Sequence, residues 1–309
     1  MSLKRGDFLR QPTKGEPSVG RISRRRLLQG LAGAAVLSPA SILTQPAYSA
    51  PVLGRRAYKA KAVHFNGLTL LRRTGLIGKP SAKYLASVWI KPYWEENQTG
   101  RVRACFFQAN GTDAGTGNGS TVFYDEGFPN SLFLYARESN DNEFLWYRPD
   151  FQMPAGAWHH WLVNVDTTQN PIVKQFYLND VPVIFATSFQ NGVPPFTALD
   201  ILQQTFYIPD WLVIGRTKPP IQDMADFWLG VGQSLDLSIV ANRRKFISFD
   251  KKPVELGQQG KMPTGTRPTI FFSGDVEQFP DNRGTGGPFT MLGSLSNATT
   301  SPSAAYYGT

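Results

Sequence analysis

Cysteine and histidine are nearly absent from this 309-residue chain, which holds one Cys and three His. With Cys105 alone, no disulfide can close within the chain, so any core must hold by packing. Cys105 sits in Ala104-Cys105-Phe106-Phe107 and reads as a small buried hydrophobe. His159 and His160 are neighbours on a predicted strand and would point to opposite faces. Two strand ligands for one metal need i, i+2 spacing, and His64 stands alone, so no histidine metal centre is expected. Gly-x-Ser-x-Gly elbows and Cys/His pairings are missing too, which removes the usual supports of a nucleophile. Helical periodicity is scarce: Val231 to Lys245 could hold a helix, though Leu235, Leu237 and Ile239 fit a strand nearly as well.

Long apolar runs are also lacking. The uncharged stretch Leu27 to Leu37 falls short of the ~18 residues of a membrane span, and Gly30, Gly33 and Pro39 would pack poorly as a helix. It follows Ser23-Arg24-Arg25-Arg26 and leads to Ala47-Tyr48-Ser49. A basic start, a short apolar stretch and a small-residue cleavage site describe an export signal, and the arginine pair points to the twin-arginine (Tat) route. Pro51 is a poor first residue after a cut at Ala50, so cleavage is expected after Ser49. Residues 1–49 are thus read as a signal peptide, and the mature protein as periplasmic or secreted.

The signal also carries most of the charge. The full chain has 32 Lys+Arg against 23 Asp+Glu, a net of +9. Residues 1–49 hold eight of the bases and two of the acids, so 24 and 21 remain, a net of +3. That balance gives no basis for a nucleic-acid partner. No second apolar stretch approaches a span, so none is expected after cleavage.

What is present reads as all-β. Aromatic and β-branched residues gather in short runs separated by Gly, Pro, Asn and Asp. Tyr84 to Ile90 is apolar on both faces apart from Ser87, as for a strand covered on both sides. Ser131 to Arg137, a polar turn and Glu143 to Arg148 make a hairpin. A second hairpin runs from Lys174 to Leu178, through Asn179-Asp180, into Val181 to Ile184, with Pro182 confined to an edge. Trp158 to Asp166 alternates, with Trp161, Val163 and Val165 on one face, and Trp211 to Gly215 is a short strand. The glycine-rich stretch 110–120 lacks a surrounding βαβ unit and is no dinucleotide site. From Phe249 onward the texture changes to polar turns with sparse apolar pairs such as Ile270-Phe271-Phe272. The domain reading is therefore 50–245 as one β domain and 246–309 as an extended C-terminal segment with a frayed end.

Several of these runs, in order, resemble concanavalin A-like lectin/glucanase domains of the laminin-G type. The carriers are YLASVWIKP at 84–92, WHHWLVNVD at 158–166, QFYLNDVPV at 175–183, and LVIGRT at 212–217 followed by Phe227-Trp228-Leu229-Gly230. The resemblance implies a two-sheet antiparallel jelly-roll sandwich, with Trp89, Trp158 and Trp161 in the core and the histidine pair as a packing feature. A narrower likeness runs from Gly232 to Ser303, through GQSLDLSIVANRRKFIS, KPVELGQQGKMPTGTRPTIFFSG and NRGTGGPFT, to tails of phage- and prophage-linked members.

Glucanases of this fold carry carboxylates at alternate positions of one strand, because i and i+2 project into the same cleft about 5 Å apart. No such array occurs here; Glu138, Asp141 and Glu143 sit around a turn, and no catalytic residue is assigned. A binding role remains. Sugar recognition uses an aromatic plate for the ring face with polar groups for the hydroxyls. Trp94, Trp146, Tyr147, Arg148 and Asn191 are the candidate ligand-binding residues. Asp113, Asp125 and Asp166 could donate oxygens to calcium, although no fixed spacing marks them and no cofactor is expected. The expected function is an exported, non-enzymatic module for glycan or another cell-surface polymer. The alternatives are a prophage-type assembly protein docking a partner through its C-terminal segment and a hydrolase with relocated carboxylates.

Overall fold

The computed structural model describes residues 57–93, 103–110, 121–125, 131–137, 143–148, 151, 153–185, 187–191, 205–209 and 221–304. All lie in one compact unit, Arg56–Thr309. In chain order the strands begin with β1 (Val63–Asn66), β2 (Leu70–Thr74), β3 (Lys83–Pro92), β4 (Arg103–Asn110) and β5 (Thr121–Asp125). Next come β6 (Ser131–Arg137), β7 (Glu143–Arg148), β8 (His159–Asp166), β9 (Val173–Leu178), β10 (Val181–Pro182) and β11 (Thr187–Asn191). The series closes with β12 (Thr205–Ile208), β13 (Ile221–Val231), β14 (Ile270–Phe272), β15 (Thr290–Leu292) and β16 (Ser296–Asn297).

These strands make two antiparallel sheets. The first has the order β10-β9-β8-β3-β13-β1-β16, with β14 pairing the remaining length of β13. The second has the order β11-β7-β6-β5-β4-β12-β2-β15. Neighbours such as β3 and β13 are far apart in sequence, because the chain crosses repeatedly between the sheets. The protein is an all-β sandwich, as its composition indicates.

Both expected hairpins form, β6 with β7 and β9 with β10. The second turns on Asn179 (φ 50°) and Asp180 (φ 68°), the paired positive dihedrals that a two-residue hairpin loop requires. Pro182 lies in β10, the terminal strand of its sheet, where no ladder N–H is missed. The quoted motifs fall on β3, on β8, on the β9–β10 hairpin and on the second half of β13; LVIGRT lies outside the described residues. So do Trp211 to Gly215 and residues 111–120. The stretch Val231 to Lys245 yields only α1 (Val240–Arg243), a single turn with no side-chain cap.

The central strands of the first sheet, β3, β8 and β13, are buried on both faces. Tyr84, Ala86, Val88 and Ile90 of β3 face inward, with Trp161, Val163 and Val165 of β8, and meet Leu71, Phe206 and Ile208 of the second sheet. Leu85, Leu162 and Trp228 face outward and pack against Leu237, Phe246, Leu256 and Phe271. Trp89, Trp158 and Ala225 form a further outward cluster with Ala60 and Ile247. The unbroken apolar run of β3 therefore answers two layers, and its outer layer is the chain's own C-terminal segment.

That segment is extended but integrated. It adds β14 to β13, β15 to β2 and β16 to β1. The Trp228 indole N–H donates to the Gly260 carbonyl at 2.7 Å. Gly260 has φ +68°, and a Cβ there would press on the Phe271 and Pro268 rings at 3.0 Å. The NRGTGG motif is a knot: Asn282 accepts from the Phe271 and Gly284 N–H groups and donates to the Thr269 and Gly287 carbonyls. A Cβ on Gly284 would overlap the Thr269 carbonyl. The end of the chain, expected to fray, is pinned as far as 304: the Ala60 N–H donates to Ser303 Oγ, and Ala298 N–H to the Ala62 carbonyl. Residues 305–309 lie outside the described set.

A bulge in β13 between Ala225 and Trp228 supplies a polar pin beneath this cover. Asp226 takes φ 47° there and receives the Tyr58 hydroxyl on both carboxylate oxygens, at 3.0 and 3.1 Å. Burial pushes its carboxyl up to about 6, against hydrogen bonds from Ser273 and Tyr58 and the nearby Arg283 charge.

Candidate functional site

Trp94 and Asp113 lie outside the described residues, as do Glu138 and Asp141. Trp146, Tyr147 and Arg148 close β7, where Trp146 pairs in register with Ser188 and Tyr147 with Thr187 of the terminal strand β11. Asn191 sits opposite Glu143, three residues from Trp146, or about 10 Å along the strand. The four ligand candidates thus share two neighbouring strands, but the register separates Asn191 from the other three. The Arg148 guanidinium donates to the Ile184 carbonyl at 2.7 Å and so braces the edge. Glu143 stands in register with Arg137. Asp125 and Asp166 belong to different sheets. Among the described residues no group of three or more His, Cys, Asp or Glu is placed to hold a metal ion.

Both strand histidines are buried and hydrogen-bonded. His160 Nε2 lies 2.9 Å from Ser87 Oγ, and its ring rests 4.7 Å from Trp89. His159 Nε2 lies 2.9 Å from the Pro154 carbonyl. Burial lowers both imidazoles, His160 to about 3. Trp89, Trp158 and Trp161 are all buried. His64 is the surprise, because it is not solitary. Its Nδ1 lies 2.7 Å from Asp223, whose other oxygen accepts the Tyr93 hydroxyl at 2.6 Å. These partners are 159 residues apart in the chain, so no sequence pattern announces them.

Among the described residues a polar concavity lies elsewhere, on the outward face of the first sheet beyond the aromatic cover. Alternation along β8 that sends Leu162 outward also sends Asn164 and Asp166 outward, and Gln175 of β9 stands in register with Asn164. The chain leaving β13 turns at Gly232 (φ +80°) and brings Ser234, Asp236 and Ser238 across as a facing wall. Asn164 Oδ1 accepts from Ser234 Oγ at 2.9 Å, and Gln175 donates to Asp236 at 2.7 Å while accepting from the Leu237 N–H at 2.8 Å. Thr168 and Ser238 each donate twice, through N–H and hydroxyl, to one oxygen of Asp166 and Asp236 respectively. The result is a groove of about 450 Å³ whose lining offers the amides of Asn164, Gln169 and Gln175, the hydroxyls of Ser234 and Ser238, two carboxylates and the apolar Val173. Those hydrogen bonds hold the Asp236 carboxyl below its ordinary range. Sequence reasoning named only Asp166 of this group, because the facing wall comes from 61 to 70 residues away.

A second groove of about 440 Å³ lies on the other side of the same 231–238 segment, with Lys79, Ser81, Gln233, Arg267 and Thr285 in its lining. Arg267 is set there by two carbonyls, those of Arg283 at 2.9 Å and Gly284 at 3.2 Å.

No protein-family model and no curated protein matches the sequence. Among solved structures, the chain is similar to a Bacteroides ovatus protein assigned to carbohydrate binding, at 9% identity and TM-score 0.49, covering 79% of this chain and 62% of that one. It is also similar to the enzymatically active domain of tailspike protein 2 of bacteriophage CBA120, at 14% identity and TM-score 0.37, covering 57% and 25%. A third likeness is to a botulinum neurotoxin type C structure described with two ganglioside molecules, at 12% identity and TM-score 0.34, covering 60% and 45%. The chain thus spans between a quarter and about three fifths of these proteins. At such identities and TM-scores none of them fixes a family or an activity.

The buried imidazole gives a pH signature. His160 stays neutral when folded but takes a proton at about 6.5 when unfolded, so its contribution is full above that value and lost as pH falls toward 3. His160→Gln should flatten the loss of stability between pH 6.5 and 5 by roughly 1.4 kcal/mol per pH unit, read by urea unfolding. Parallel curves for the two proteins would show that His160 is not held neutral.

Proposed function

We propose that the protein is an exported, non-enzymatic module that holds a glycan or another cell-surface polymer. The observation that carries this reading is the groove between Asn164, Asp166 and Gln175 on one side and Ser234, Asp236 and Ser238 on the other. Amide, hydroxyl and carboxylate groups fixed by their own hydrogen bonds are preorganised to exchange bonds with sugar hydroxyls. Trp146, Tyr147, Arg148 and Asn191, on the paired strands β7 and β11 of the other sheet, remain a second candidate group, and Trp94 stays a candidate outside the described residues. The order of motifs on β3, β8, β9–β10 and β13 supports placing the chain with concanavalin A-like, laminin-G-type domains. The assembly reading has less to draw on, since Phe246, Leu256, Phe271 and Phe279 are buried within the protein itself.

Asp166→Asn keeps the shape of the Thr168 turn and removes one charge. It should weaken glycan binding about tenfold, measured by titration with the strongest ligand from a glycan array. Trp146→Ala reports on the other sheet; a loss there with Asp166→Asn unchanged would move the site to β7. An array with no ligand for the wild-type protein would end the glycan reading. Export is checked separately. Replacing Arg24 and Arg25 by Lys should strand the protein in the cytoplasm, and unchanged export would remove the twin-arginine assignment.

A further inference from the structure

The two grooves are neighbours and opposite in charge. One chain segment divides them: Val231, Gly232 and Gln233 line the second groove, and Ser234, Asp236 and Ser238 line the first. Both open at the same end of the first sheet. Lys83 of β3 pairs in register with Asp166 at the lip of the first groove, and its carbonyl accepts the Gly232 N–H at 2.8 Å. Ser81, two residues earlier, lines the second groove. The wall between them is held from both sides. Ser234 bonds Asn164 across the first groove, while Gln233 donates to the Arg267 carbonyl at 3.0 Å across the second.

Their linings differ in sign. The first groove is lined by Asp166 and Asp236, with Lys83 in register beside Asp166 at its lip, whereas the second is lined by Lys79 and Arg267 and by no acid. Arg267 is half-buried and fixed on two backbone carbonyls, while Lys79 is exposed.

We propose that the grooves are two subsites of one polymer track, and that the Lys79–Arg267 groove takes an anionic substituent of the same glycan. This rests on the glycan reading of the first groove and adds the ligand's charge and direction. A sugar unit seated among the amides and hydroxyls of the first groove places the next unit over the 231–238 wall, within reach of the cations. The carboxylate or sulfate ester of that unit then meets Lys79 and Arg267. The reversed chain would set its anion against Asp166 and Asp236, a like-charge contact that opposes binding. The polarity of the track therefore fixes the orientation of the polymer.

The test is calorimetric titration of the full chain with three oligosaccharides of the same linkage and length: neutral, uronate-bearing and sulfated. The uronate or the sulfated form should bind about tenfold more tightly than the neutral one, and the better of the two identifies the anion. Raising salt from 0.05 to about 0.5 M should erase most of that advantage, because Lys79 is exposed. Lys79→Gln should reduce the ratio of charged to neutral affinity. Asp166→Asn should weaken all three. A neutral ligand that binds as well as the charged ones, or a Lys79→Gln protein that keeps the full preference, overturns the anion subsite while the glycan function stands. Failure of all three to bind defeats the glycan function and this inference with it.

Discussion

The outward face of the first sheet is apolar and must be covered by the chain itself. Leu85, Leu162 and Trp228 project there in one cluster, and Trp228 is fully buried although it points away from the sandwich interior. Leu237 completes that cluster from the stretch after β13, and Phe246, Leu256 and Phe271 from the C-terminal segment. Burying these seven side chains is worth on the order of 10 to 20 kcal/mol as an upper estimate, which is comparable to the whole stability of a domain. A sandwich without this layer would expose a broad hydrophobic patch, with the Trp228 N–H stripped of the Gly260 carbonyl and the Asp226 carboxylate deprived of Ser273 and the Arg283 charge.

The same layer builds the grooves. The chain can return over the sheet only by turning at Gly232, and the stretch after that turn is the wall both grooves share. Asn164 and Gln175 hold the wall through Ser234, the Leu237 N–H and Asp236. Arg267 and Gln233 hold it from the far side. Polar side chains at the rim of the covered face therefore serve structure and surface chemistry together. Away from the wall, Asp180 receives Arg243 and Arg244 and clamps α1 to the β9–β10 turn.

Much of the fold was legible in the sequence because it is written in local periodicity. The doubly apolar run of β3, the alternation of β8 and the Asn179-Asp180 turn follow from short-range pattern, and the resemblance to concanavalin A-like domains implied the buried Trp89, Trp158 and Trp161. The adjacent histidines also behave as strand geometry requires, each bonded on its own side. Less legible was the role of residues 246–304. Their apolar side chains are sparse and aperiodic, because each fills one place on a surface built elsewhere rather than forming a face of its own. The NRGTGG motif carried only a likeness to phage- and prophage-linked tails; its asparagine and glycines allow close approach to the Thr269 backbone. The site was the least legible part. The His64–Asp223 pair and the two walls of the first groove join segments far apart in sequence, and only Asp166 carried a signal.

The account stands on the C-terminal layer being part of the folded body, and ending the chain after Phe249 tests that most directly. Near-ultraviolet circular dichroism and thermal unfolding of the shortened protein should show lost tertiary signal and no cooperative transition, with a tendency to aggregate. A shortened protein that melts sharply near the temperature of the full chain would contradict the account, because the outward face of the first sheet would then need no cover.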